Sequence, residues 1–85
     1  MTRSKFTHGM IERLLVINNE LGTEKYPNTS KLAKKLEVSI ATISRDVEFL
    51  RDRLNAPIEY SFEKKGYYYT RKYQLFGELE NYVLG

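Results

Sequence analysis

The sequence has no cysteine and no tryptophan, one histidine (His8) and two prolines in 85 residues. Without cysteine there is no disulfide, no thiolate metal site and no cysteine nucleophile. A single histidine leaves no pair for a metal and no Ser-His constellation, so neither a metal, a cofactor nor a catalytic site is expected. The longest apolar run, residues 14–17, is far short of the ~20 that span a bilayer, and no basic stretch leads into an apolar one as in a secretory leader. Excess charge is also scarce, since 14 Lys and Arg against 11 Asp and Glu give only +3. What is present, 41% apolar and 29% charged residues, suits one small globular domain and not a disordered chain. A soluble, cytoplasmic, non-enzymatic module is the expectation. Seven tyrosines are the one surplus.

Apolar periodicity divides the chain. Met10, Ile11, Leu14, Leu15, Ile17 and Leu21 recur at helical spacing behind Thr7, a possible cap, and predict a first helix over about 7–21 that stops at Gly22. Asn28 or Thr29 caps a second helix over 29–37, with Leu32, Ala33 and Leu36 on one face and Lys31, Lys34 and Lys35 outward. Ser39 caps a third helix over 40–54, whose stripe is Ile40, Ile43, Val47, Leu50 and Leu54, and Asn55 and Pro57 end it. The period then changes to two. Ile58, Tyr60 and Phe62 alternate with Glu59, Ser61 and Glu63, and Lys64-Lys65-Gly66 turns the chain into Tyr67–Thr70, so 58–70 is a hairpin. Which tyrosines share a face with Phe62 depends on the turn length. Leu75, Phe76, Leu79, Tyr82 and Val83 return to helical spacing within 73–85.

Three helices, the second short and tightly joined to the third, and then a hairpin make the element order of a winged helix-turn-helix. The fold class is therefore mainly α with a small β-hairpin wing and an additional helical C-terminal segment. In residues 29–47, Leu32, Ala33 and Leu36 supply the inner face of the first helix of the motif, Val38 fills the turn, and Ile43 and Val47 anchor the second helix. Helices paired this way place the N-terminal half of the second one in the DNA major groove.

The phrases LAKKLEVSIATISRDVEFL, APIEY and KKGYYYT resemble the N-terminal winged helix of DeoR-type and WYL-domain bacterial transcription regulators. The likeness spans about residues 7–70 and rests on Val38-Ser39, Thr42-Ile43, Arg45-Asp46, Leu50 and Gly66-Tyr67. It implies a transcriptional regulator, a repressor, that binds double-stranded DNA sequence-specifically. Two positions depart from the family: Ala41 stands where Arg is common, and Ile40 is apolar where a polar residue is usual. With no WYL effector domain read after the wing, the resemblance gives no reason to infer ligand sensing, and no small-molecule ligand is expected.

Arg45 leads the candidate DNA-binding residues, because from the middle of helix 3 it can reach a guanine edge for about 1–3 kcal/mol of discrimination. The competing reading is a surface pair with Asp46 or Glu48. Asp46 itself is expected to make an internal ion pair or hydrogen bond. Ser39, Thr42 and Ser44 offer hydroxyls to phosphates or base edges, with Ser39 also serving as a cap, and Ile40 and Ala41 suit thymine methyls. Lys31, Lys34 and Lys35 on helix 2, and Lys64, Lys65 and Tyr68 on the wing, are candidate phosphate contacts. Arg3 and Lys5 belong to a basic N-terminal arm. Tyr60 and one of Tyr67 or Tyr69 are expected to pack the hairpin onto the helices.

The tail stripe Leu75, Phe76, Leu79, Tyr82 and Val83, with Val16, is the expected homodimer contact. It divides the chain into a DNA-binding domain, 1–72, and a dimerisation segment, 73–85. Charge follows the same division: all 14 basic residues lie in 1–72 beside 9 acidic ones, giving +5, while 73–85 carries −2 from Glu78 and Glu80. Two other readings remain open. One is a winged helix that binds protein, which Ile40 and Ala41 favour. The other is the N-terminal regulatory fragment of a longer WYL-type regulator or bifunctional biotin ligase. No membrane contact is indicated.

Overall fold

The computed structural model describes residues 9–85, arranged as α1 (Met10–Gly22), α2 (Thr29–Leu36), α3 (Ile40–Asp52), β1 (Ile58–Ser61), β2 (Gly66–Tyr69) and α4 (Leu75–Leu84). The Thr7 cap, His8 and the basic arm with Arg3 and Lys5 lie outside the described residues. In the structure α1 starts at Met10 behind Gly9, which offers no capping side chain, and it runs through Gly22. Gly22 is not the stop because its backbone stays right-handed; Thr23 ends the helix, its amide and hydroxyl both donating to the Asn19 carbonyl.

The turn between α2 and α3 follows local chemistry. The Asn28 side chain accepts the Lys31 amide at 2.8 Å, and the Ser39 hydroxyl accepts the Thr42 amide at 3.1 Å. Such caps satisfy amides that the first helical turn leaves open, each worth about 1 kcal/mol. Helix α2 ends one residue early because Glu37 adopts a left-handed conformation, φ 59°, which turns the chain toward α3. Helix α3 likewise stops at Asp52 and not at 54; Leu54 still enters the core, and Asn55 at φ 58° redirects the chain into β1.

Leu14, Ile17 and Leu21 of α1, Leu32, Ala33 and Leu36 of α2, and Ile43, Val47 and Leu50 of α3 form one core with Leu54, Ala56, Ile58 and Leu75. Each helix thus contributes one apolar stripe. The core also holds a charge pair. Arg13 on α1 grips the buried Asp46 carboxylate of α3 with two hydrogen bonds, Nε to Oδ2 at 2.5 Å and Nη2 to Oδ1 at 3.1 Å, and this carboxylate raises the Arg13 pKa further above its ordinary value. The internal ion pair expected of Asp46 is therefore present.

The hairpin pairs Ile58 with Tyr69, Tyr60 with Tyr67 and Ser61 with Gly66. Tyr67 and Tyr69 both pack against the core, and the Tyr69 hydroxyl donates to Asn18 Oδ1 on α1 at 2.7 Å. The expected half-buried face of Ile58, Tyr60 and Phe62 is not formed. Only Ile58 is buried, whereas Tyr60 is 38% exposed and Phe62, beyond the end of β1, is 86% exposed. The reason is reach: the base of the hairpin lies over the helices, while its tip projects past them. Tyr60 therefore does not pack the hairpin onto the core.

Helix α4 is not a free appendage. Leu75 is sealed in the core and Leu79 packs against it. The Tyr73 hydroxyl donates to the Leu54 carbonyl, and burial, with Glu78 nearby, pushes the Tyr73 phenol up to about 12. Further along, Tyr82 stands edge-on to Phe49 of α3 at 5.4 Å, and Asn55 donates to Glu78 at 3.2 Å. Leu75 is accordingly unavailable to a second chain, contrary to its place in the expected dimer stripe; Phe76, Tyr82, Val83 and Leu84 remain exposed.

Candidate nucleic-acid interface

The outer surface of α3 begins at its cap. Ser39 Oγ and Thr42 Oγ1 lie 3.0 Å apart in a hydrogen bond, so two of the expected DNA-facing hydroxyls are held together, with Ser39 also capping the helix. Ile40, Ala41, Ser44 and Arg45 are exposed, and Thr42 is half-buried. With Ile43, Asp46 and Val47 directed inward, the helix spacing leaves Ala41, Ser44 and Arg45 on the outer side, whereas Ile40 shares the spacing of the apolar stripe but, as the first residue of α3, is 51% exposed. Arg45 has no hydrogen bond or ion pair among the described residues. The competing reading, in which Asp46 or Glu48 occupies it, does not hold: Asp46 is turned inward to Arg13.

The lysines of α2 separate. Lys31 and Lys34 are exposed and make no ion pair among the described residues. Lys35 instead reaches α1, its Nζ 3.2 Å from Oε2 of the largely buried Glu20, which Lys25 approaches at 3.8 Å. Glu20 falls on the inner edge of the α1 stripe, beside Leu21 and three residues from Ile17, a position that only the helix spacing marks.

On the wing, Lys64 and Lys65 are exposed at the tip. Two hydrogen bonds to Ser61 order this turn, from the Lys64 amide to Oγ at 3.0 Å and from the Lys65 amide to the carbonyl at 2.7 Å. Lys65 takes a left-handed φ of 60°. Tyr68 is half-buried against Tyr26, with ring centroids 5.5 Å apart, and the Lys64 ammonium lies 5.2 Å from the Tyr26 ring centroid. Tyr26 was not a sequence candidate. It comes from the loop between α1 and α2, where its φ of 51° is unusual for a bulky residue. A side chain at Gly66 would collide with the Tyr26 carbonyl, and the Tyr67 amide donates to the Pro27 carbonyl at 2.8 Å. Wing and loop are therefore interlocked immediately before α2.

No group of His, Asp or Glu among the described residues is arranged to hold a metal, and no helix there is long and apolar enough to cross a membrane. A cleft of about 600 Å³ lies between the end of α1 and residues 69–74 and takes no lining from α2 or α3. It is open and polar, so the exposed α2–α3–wing surface is the better-built candidate.

A short capped helix turned tightly onto a second, with a hairpin locked beside them, defines a winged helix-turn-helix protein. A family profile described as an HTH domain matches residues 13–68, about two thirds of the chain, from α1 through most of β2. The chain belongs to this helix-turn-helix family, and residues 13–68 are a DNA-binding domain of that kind. No curated protein and no solved structure matches it.

Proposed function

We propose that the protein is a sequence-specific regulator of transcription, a repressor of the DeoR or WYL-associated type, that reads double-stranded DNA as a homodimer. The observation that carries this reading is Arg45, an exposed guanidinium in the middle of α3 with no hydrogen bond or ion pair among the described residues, beside a row of short side chains. In the proposed complex Arg45 takes a guanine edge, Ser39, Thr42 and Ser44 take phosphates or base edges, and Ile40 and Ala41 meet thymine methyls. Lys31 and Lys34 flank the groove with Lys64 and Lys65, while Tyr68 contributes mainly by backing the wing. In binding-site selection from random duplexes, the wild type enriches a defined sequence. Arg45→Ala relaxes the preference at one position by about 1–3 kcal/mol. Equal binding of every duplex by both proteins would count against α3 as the reader.

The dimer is proposed to form on the exposed part of α4, Phe76, Tyr82, Val83 and Leu84, within the acidic segment 73–85. One module of this size buries roughly 600–1,000 Å² on DNA, and paired modules reach higher affinity through two half-sites. Sedimentation equilibrium should show a dimer at micromolar concentration that Phe76→Ser with Val83→Ser converts to monomer. A wild-type monomer under those conditions removes the dimer from the reading.

A further inference from the structure

Phe62 has no part in the readout described above, and it is also the most exposed of the large apolar side chains among the described residues. Its setting distinguishes it from a stray surface phenylalanine. The residue stands at the wing tip, immediately after β1, followed two and three positions on by Lys64 and Lys65. Tyr60 braces it edge-on at 5.2 Å and is itself braced by Tyr67 at 5.2 Å, and Tyr67 packs on the core. A chain of three rings thus runs from the domain interior to Phe62. Behind it the wing is held by the Gly66–Tyr26 contact and the Tyr67–Pro27 hydrogen bond.

An apolar ring on a stiff support, with Glu63 next to it and two cations, Lys64 and Lys65, just beyond, has the chemistry of a wedge. Such a side chain enters between base pairs from the minor groove while neighbouring cations hold the phosphates, and the duplex kinks away. The unstacking is easiest at pyrimidine–purine steps, above all TA and CA. A rigid support matters because a loose wing would yield before the base stack did. We propose that Phe62 is a minor-groove wedge that opens one base step under the wing and bends the bound DNA, an inference that rests on the DNA-binding reading above. It makes the sequence under the wing a second source of selectivity, read through deformability and independent of the bases that α3 contacts.

The test uses the full chain and a duplex recovered by selection, with donor and acceptor dyes at its ends to report bending by energy transfer. Wild-type protein should bend the duplex by roughly 20–90°. Phe62→Ala, at a position too exposed to disturb the fold, should bind without that bend and about tenfold to a hundredfold more weakly, as expected when an aromatic ring no longer leaves water. Phe62→Leu should keep part of the bend, and a G·C-rich stretch under the wing should weaken the wild type more than Phe62→Ala. An unbent wild-type complex, or a bend that survives Phe62→Ala, overturns the wedge and leaves DNA binding intact, with Phe62 then free for a protein partner. If no duplex is bound even at low salt, the DNA-binding reading fails and the wedge fails with it.

Discussion

Asp46 and Arg45 are neighbours in the sequence with opposite destinies, and the helix period separates them. Position 46 falls on the inner stripe between Ile43 and Val47, where a bare carboxylate would be costly, and Arg13 makes it tolerable with a two-pronged grip. Because Asp46 is only 2% exposed, removing its partner strands a charge in the core. Arg13→Ala should therefore destabilise the domain by about 3–5 kcal/mol, measured by urea denaturation. Asp46→Asn, which keeps an acceptor, should cost less than Arg13→Ala. A loss below 1 kcal/mol for Arg13→Ala would mean that the pair is far better solvated than its burial indicates. The sequence made it clear that Asp46 was internal. It did not reveal the partner, because 33 residues separate the two and a pair between helices leaves no local signal, even though Arg13 is the one basic residue of α1.

Among the elements, the helices were the most legible, since their stripes and the Asn28 and Ser39 caps are local signals. Helix ends are less so: a left-handed Glu37 shortens α2, and α3 ends at Asp52 although its apolar stripe continues to Leu54. The hairpin is legible in the alternation, but its burial is not. Alternation shows that a segment is β-prone; how far a core extends beneath it is a tertiary fact, and here the core stops at Ile58. The interlock of wing and loop was likewise invisible, because Gly66 reads as a turn residue whether or not a backbone passes close to it. In the structure its φ is not positive, and close approach to Tyr26 is what demands glycine. Gly66→Ala should force the wing from the loop at a cost of about 1–3 kcal/mol, with loss of the Tyr67 amide protection in hydrogen exchange. Unchanged melting and unchanged protection would show that the loop yields freely.

For the molecule as a whole, the useful quantity is where the charge is free. Of the basic residues in 1–72, Arg13 is committed to Asp46 and Lys35 to Glu20, so neither is fully available to a polyanion. Composition gave the net sign of this region but could not separate committed from uncommitted cations, and Lys35 looked equivalent to Lys34 for that reason. In salt titrations of DNA binding, Lys34→Ala should lower the slope of log affinity against log salt by about 0.9, the value for one phosphate contact. Lys35→Ala should lower it by clearly less. Equal effects would mean that Lys35 leaves Glu20 when DNA arrives. The same ledger of partners extends to α4, whose Tyr82 touches Phe49 one turn along α3 from Arg45.

The hydrogen bond from Tyr67 to Pro27 has a consequence for behaviour in concentrated solution. It occupies one outward amide of β2 and so blunts that edge of the hairpin, while the β1 edge lies on the other side. Exposed edges recruit other strands and begin aggregates, and natural proteins blunt them with short length and charge. Strand β1 has four residues, carries Glu59 at its second position and runs out before Glu63. An aromatic-rich hairpin that would otherwise invite stacking into larger sheets is thereby kept a two-stranded one, with Tyr67 and Tyr69 packed on the chain's own core.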